Sequence, residues 1–202
     1  MKIHPLFVCM FIFFYMNGEL ALITVYFLAL LIHELGHIIV AKLLKIQIAS
    51  CTIYPYGGEI ILRNEYKHPY RSLMLIAMGG LIATTICILF APLLPSVLAD
   101  PFQKMNWMLL VLNILPIWPL DGGRILLYFY LNKTGDFQFY SLWISWSLGI
   151  VSILLIVTLL FWRWEAISII VIGIYIWLAI WNEWRVRKYR IAFEKVKKIS
   201  LT

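Results

Sequence analysis

Long apolar runs dominate this chain, with little two-residue or 3.6-residue alternation. Six can be marked: Pro5 to Met16, Leu20 to Leu44, Leu73 to Leu98, Met105 to Leu131, Phe139 to Trp162 and Ala166 to Trp184. A helix needs ~20 apolar residues to cross a bilayer. The pattern predicts an all-α polytopic membrane protein with about six transmembrane helices. The first run is short for a span. The third frays at Pro92 and Pro95. The fourth is broken by Pro116, Pro119 and Asp121-Gly122-Gly123-Arg124, since proline removes a helical donor and clashes with the preceding turn. Between the second and third runs, Ile48, Ser50, Thr52 and Tyr54 alternate with Ala49, Cys51 and Ile53. Pro55-Tyr56-Gly57-Gly58 and then Glu59-Ile60-Ile61-Leu62-Arg63 come next. That is the signal of a small membrane-associated β-hairpin. Its free edge could accept an extended peptide, or the segment could simply connect two helices.

Composition agrees with a membrane protein. Of 202 residues 63% are hydrophobic and 13% charged, with a mean hydropathy of +0.89. Soluble domains are nearer ~45–50% apolar. The net charge of +7 would suit nucleic acid, but seven basic residues cluster between Arg185 and Lys198, after the last apolar run. They read as a cytoplasmic flank, and no direct nucleic-acid binding is expected. With six spans and the N-terminus inside, 15 of the 17 basic residues fall on the cytoplasmic side, leaving Lys104 and Arg163 opposite. Both termini are then cytoplasmic. Residues 1–184 read as one intramembrane domain and 185–202 as a basic tail. Cys9, Cys51 and Cys87 make no metal or disulfide spacing and read as packing residues. The first run lacks a small-x-small cleavage site and is expected to be retained.

The chemistry lies in the second run. His33-Glu34-Leu35-Gly36-His37 sits among apolar residues on both sides. On a helix, positions four apart share a face, so both imidazoles can hold one Zn²⁺. Glu34 is placed to take a proton from a water held there. Ionisable side chains at membrane depth are costly and usually functional. A catalytic zinc takes a third protein ligand. His4 sits at the very start of the first run and His68 in a charged stretch beside Pro69, neither within an apolar interior. Asp121 is flanked by apolar sequence on both sides, beyond two helix-breaking prolines. Asp121 could be the ligand or could cap the helix from Gly122, paired with Arg124. Asn113 could satisfy carbonyls freed by the prolines or hold a substrate backbone. A membrane zinc transporter or metal-binding protein would use the same three residues, and an inactive scaffold would bind no zinc.

His33-Glu34-Leu35-Gly36-His37, with Asn113-x-x-Pro116 and Leu120-Asp121-Gly122, resembles the site-2 protease family of intramembrane metalloproteases. Ile3-His4-Pro5, Pro55-Tyr56-Gly57-Gly58 and Pro116 to Gly123 resemble its sporulation branch. The resemblance implies one Zn²⁺ per chain on His33, His37 and Asp121, with Glu34 as general base. It also implies a substrate, the membrane-associated precursor of a late sporulation sigma factor, contacted by Asn113, Pro116, Gly57 and Gly58. Membrane inhibitor proteins are the implied partners, beside the lipid bilayer. The implied location is the membrane around the forespore, with the site facing the mother-cell cytoplasm. Relatives of this kind carry a nucleotide-sensing CBS domain after the last span. Here the chain stops at Thr202, either as a natural short form or with its C-terminus removed, which leaves regulation through such a domain open.

Overall fold

The computed structural model describes residues 2–54, 57–160 and 167–200. Pro55 and Tyr56 of the expected turn, and Trp162, Arg163 and Ala166 at the expected run ends, lie outside them. The described elements run β1 (Lys2–Ile3), α1 (Pro5–Met16), α2 (Leu20–Leu43), β2 (Ile48–Tyr54), β3 (Gly57–Leu62), α3 (Tyr70–Phe90), α4 (Ser96–Ile114), α5 (Asp121–Thr134), α6 (Gln138–Leu160) and α7 (Ile167–Ser200). They form two compact units, dividing between Leu115 and Pro116.

The expectation of about six spanning helices is wrong. Among the described residues three helical stretches are long and apolar enough to cross a membrane: Leu20–Leu43, Tyr70–Leu93 and Gln138–Leu160. The reasons are local. α1 has only 12 residues, well short of the ~20 a crossing needs. The third and fourth runs are cut differently from the hydropathy pattern. α4 starts at Ser96, inside the expected third run, and carries Asp100, Pro101 and Lys104. It ends at Ile114, before the prolines, and the next element is a separate 14-residue helix, α5. The fourth run is therefore two helices on either side of the unit boundary, not one broken span. Placing both termini on one side depended on six crossings and loses that basis.

In the first unit, β2 and β3 form the expected antiparallel hairpin between α2 and α3, from Ile48 opposite Leu62 to Tyr54 opposite Gly57. A third strand joins it: β1 runs parallel to β2, with Lys2 opposite Thr52 and Ile3 opposite Ile53. The order β1-β2-β3 leaves β3 at one edge. The core of the unit gathers Phe7, Val25, Ala29, Leu30, Ile53, Cys87, Ala91, Phe102 and Leu109. So α1, the sheet, α3 and α4 all contribute to one core around α2.

α2 and α3 meet at glycines. A β-carbon on Gly79 would stand 2.7 Å from the Gly36 carbonyl oxygen and 2.8 Å from Val40 Cγ2, and one on Gly36 would run into the Gly79 carbonyl. Membrane helices gain little from apolar burial against lipid, so they associate where small residues let backbones approach. This contact sets the register of α3 against the motif helix.

In the second unit, α6 and α7 pack along their length. Gly173 faces Leu155, and Trp177 Nε1 donates to Ser152 Oγ at 3.0 Å. Tyr140 donates to Glu183, which also pairs with Arg190 at 2.8 Å. The turn before α5 contains a cis Trp118–Pro119 bond, and the Trp118 amide donates to Ser147 Oγ at 3.1 Å.

Candidate metal centre

His33, Glu34 and His37 occupy the C-terminal half of α2 and are all buried, at 2%, 2% and 7% exposure. One ligand atom from each lies within 4.8 Å of the others. The i, i+4 spacing brings the two Nε2 atoms to 3.2 Å. Two nitrogens bound to one tetrahedral zinc at ~2.0–2.1 Å would stand about 3.3 Å apart.

The partners of the other ring nitrogens decide the tautomers. His37 Nδ1 lies 2.7 Å from the Ile76 carbonyl oxygen, which can only accept, so Nδ1 carries the proton. The Gly80 amide, 3.2 Å from the same nitrogen, is then a close contact and not a second hydrogen bond. His33 Nδ1 lies 2.8 Å from Thr84 Oγ1, and Thr84 Oγ1 lies 3.0 Å from the Gly80 carbonyl oxygen. That carbonyl too can only accept, so the hydroxyl proton points to it and His33 Nδ1–H donates to the hydroxyl oxygen. Both Nε2 atoms therefore present lone pairs to each other, an arrangement that a shared cation resolves. The donor set fits zinc.

Glu34 is held from the hairpin. The Gly58 amide donates to Glu34 Oε1 at 2.7 Å across 24 residues, while the buried Oε2 makes no hydrogen bond. A β-carbon on Gly58 would overlap the Glu34 carboxyl, and one on Gly80 would overlap the His37 ring and stand 2.7 Å from His33 Cε1. Cys51, on β2, is buried. Burial pushes its thiol up, with the Glu34 charge a second cause, so it is a poor nucleophile at neutral pH.

The structure thus brings together His33, Glu34, His37 and Gly58. Gly57 has φ +153° and open space where a β-carbon would stand. Asn113 is half-buried near the end of α4, and its side-chain amide donates to Leu109 O at 3.0 Å. Pro116 is exposed. Asp121 lies in the second unit, buried at 5%. It is the first residue of α5, with Leu120 in the capping position. Gly123 lies against the Ile117 backbone, and the Arg124 guanidinium sits 5.4 Å from the centre of the Trp118 ring.

Sequence reading missed Ile76, Gly80 and Thr84, the α3 groups that back the imidazoles. The available signal was Gly79-Gly80 with a threonine four residues on, inside an otherwise apolar run. It also missed Asn106, fully buried on α4, whose amide donates to Phe102 O at 2.8 Å.

No family model matches the chain. Rip3 of Mycobacterium tuberculosis, assigned as a zinc metalloprotease, is 33% identical over 119 residues, covering 54% of this chain and 30% of that protein. Stage IV sporulation protein FB of Bacillus subtilis is 29% identical over 129 residues, covering 61% and 44%. A zinc metalloprotease of Methanocaldococcus jannaschii is 26% identical over 181 residues, covering 85% and 51%. The chain spans about half or less of the length of the curated relatives it matches. In three dimensions it resembles a solved site-2 protease from Methanocaldococcus jannaschii, with a TM-score of 0.73 at 23% identity over 91% of this chain and 90% of that one. That likeness shows the fold. The matches spread over mycobacterial, bacillar and archaeal proteins, so none singles out the sporulation branch. By its relatives, its fold and its buried His33–Glu34–His37 triad, the chain is similar to site-2 proteases and other zinc metalloproteases.

Proposed function

We propose that this chain is a membrane zinc metalloendopeptidase of the site-2-protease type, with Glu34 as its general base. One observation carries the reading. On a helix able to span a membrane, two imidazole Nε2 atoms stand 3.2 Å apart beside a carboxylate with one oxygen held and the other without a hydrogen bond. His33 and His37 hold the zinc, and the family resemblance offers Asp121 as the third ligand. When bound, zinc supplies Lewis-acid polarisation of the scissile carbonyl and acidifies water. Glu34 Oε2 takes the proton of the attacking water and returns it to the leaving amine nitrogen. The Gly58 amide holds Oε1 and so orients the carboxylate.

The substrate must be extended at the cut, because amides inside a helix are hydrogen-bonded and shielded. β3 stands at a sheet edge, and a peptide added along Ile60-Ile61-Leu62 would be held in that form. Gly57, Gly58, Asn113 and Pro116 are the proposed substrate contacts. The C-terminal end of α2 and the hairpin carry Lys42, Lys45 and Arg63, while the start of α2 comes just after Glu19. Positive flanks stay inside, so the motif half of α2 faces the cytoplasm. The finer substrate reading is the pro-sequence of a late sporulation sigma factor, cut at the membrane around the forespore and restrained by membrane inhibitor proteins. The sequence resemblance and the match to stage IV sporulation protein FB support it.

Co-expression with a candidate pro-sigma factor tests the reading. Glu34→Gln should retain zinc and lose at least about 100-fold in cleavage. Cleavage by that variant at the wild-type rate would sink the mechanism. Zinc flux in vesicles without any cleaved product would favour a transporter.

A further inference from the structure

α3 contributes more to the metal centre than packing. Ile76, Gly80 and Thr84 are spaced four apart, one stripe along the helix, and face the similarly spaced His33 and His37 on α2. The helices run antiparallel here, so Ile76 and Gly80 meet His37 while Thr84 meets His33. The two imidazoles are oriented in different ways. His37 leans on a main-chain carbonyl, which no substitution removes. His33 leans on a side chain, and Thr84 is fully buried, so water has no ready access to replace it.

We propose that Thr84 is a positioning residue for the metal site: its hydroxyl donates its proton to the Gly80 carbonyl, accepts the hydrogen bond from His33 Nδ1–H, and so holds the His33 Nε2 lone pair on the metal. The inference rests on the metal-site reading above. The hydroxyl has one proton, and the Gly80 carbonyl 3.0 Å away can only accept it. Threonine in a helix favours this bond to the carbonyl four residues back, which fixes the hydroxyl direction before any imidazole arrives. The lone pair left over points at His33 Nδ1 at 2.8 Å. An imidazole protonated at Nδ1 cannot also be protonated at Nε2 while it stays neutral, so Nε2 is left to ligate. Without the hydroxyl, His33 could take the other tautomer, with Nε2–H aimed at the metal position, or leave a buried N–H without an acceptor. Valine has the shape of threonine and lacks the hydroxyl, and serine keeps the hydroxyl and loses the methyl.

The experiment compares purified full chains in detergent: wild type, Thr84→Val and Thr84→Ser. Zinc affinity is measured by competition with a chromogenic chelator, and the cobalt-substituted forms are compared by their visible absorption. Histidine ¹⁵N shifts of the metal-free proteins report the tautomer. Partners of metal-ligating histidines are typically worth ~10–100-fold in affinity. Thr84→Val should therefore bind zinc about 10–100-fold more weakly, with an altered cobalt spectrum and a mixed His33 tautomer. Thr84→Ser should stay within about threefold of wild type. Thr84→Val as tight as wild type overturns the proposal, and so does Thr84→Ser as weak as Thr84→Val, which would make packing the cause. Wild-type protein that takes up no zinc would instead overturn the metalloprotease reading beneath it. Should Thr84→Val fail to fold, Thr84→Ala against Thr84→Ser carries the same contrast.

Discussion

At the scale of single residues, two glycines leave space that the His33–Glu34–His37 side chains fill. Gly58 places its amide on Glu34 Oε1, and its missing side chain is the room the Glu34 carboxyl occupies. The missing side chain of Gly80 likewise leaves the room that the imidazoles of His37 and His33 occupy. The two contacts touch different parts of the site, so their substitutions should separate. Gly58→Ala is expected to lower cleavage at least about tenfold with zinc content unchanged, because it displaces the base alone. Gly80→Ala is expected to lower zinc affinity at least about tenfold, because it displaces the ligands. Metal analysis beside a cleavage assay distinguishes them, and equal zinc loss in both would contradict the assignment. What approaches these two glycines depends on chain folding 24 to 47 residues away.

At the scale of elements, α2 and α3 behave as one scaffold. The motif helix presents two ligands by its own period, and α3 supplies the groups that orient them. Their closeness depends on Gly36 and Gly79. Gly79→Val would set a branched side chain against the Gly36 carbonyl and Val40. Overpacking of this kind costs ~1–3 kcal/mol, and here it also separates Thr84 from His33. A lower midpoint of unfolding in detergent together with weakened zinc binding is expected; unchanged values in both would show that the contact can relax. The hairpin was legible from its alternation, since a half-buried strand imposes a period of two. The parallel β1 was not, since two residues carry no period.

At the scale of the whole molecule, hydropathy separated membrane from soluble protein but overcounted the crossings. A run of apolar residues measures the tendency to leave water, whereas a span also needs unbroken helix of sufficient length. Pro116 and Pro119 lie between the end of one helix and the start of the next at Asp121, and α1 stops at 12 residues. The proposed orientation of α2 survives this correction because it rests on local charge. With Cys9, Cys51 and Cys87 replaced, Lys45→Cys should react with an impermeant maleimide in inverted vesicles and be spared in intact cells. Labelling from outside intact cells would reverse the proposed orientation.

The sequence alone determined what is local: that the chain is apolar enough for a membrane, that His33 and His37 share a helix face with Glu34 between them, and that a hairpin comes after them. The first depends on run length and composition, and the other two on spacings of two or four residues, which short-range backbone geometry converts directly into position. Tertiary structure decided what is distant. Thr84 lies 51 residues from His33, Ile76 lies 39 from His37 and Gly58 lies 24 from Glu34. Which nitrogen of each imidazole carries its proton, and which oxygen of Glu34 is held, are set by hydrogen bonds to those groups. A linear pattern encodes no such pairing, because it arises only when glycine-lined helices close on each other and a buried polar group must find its partner.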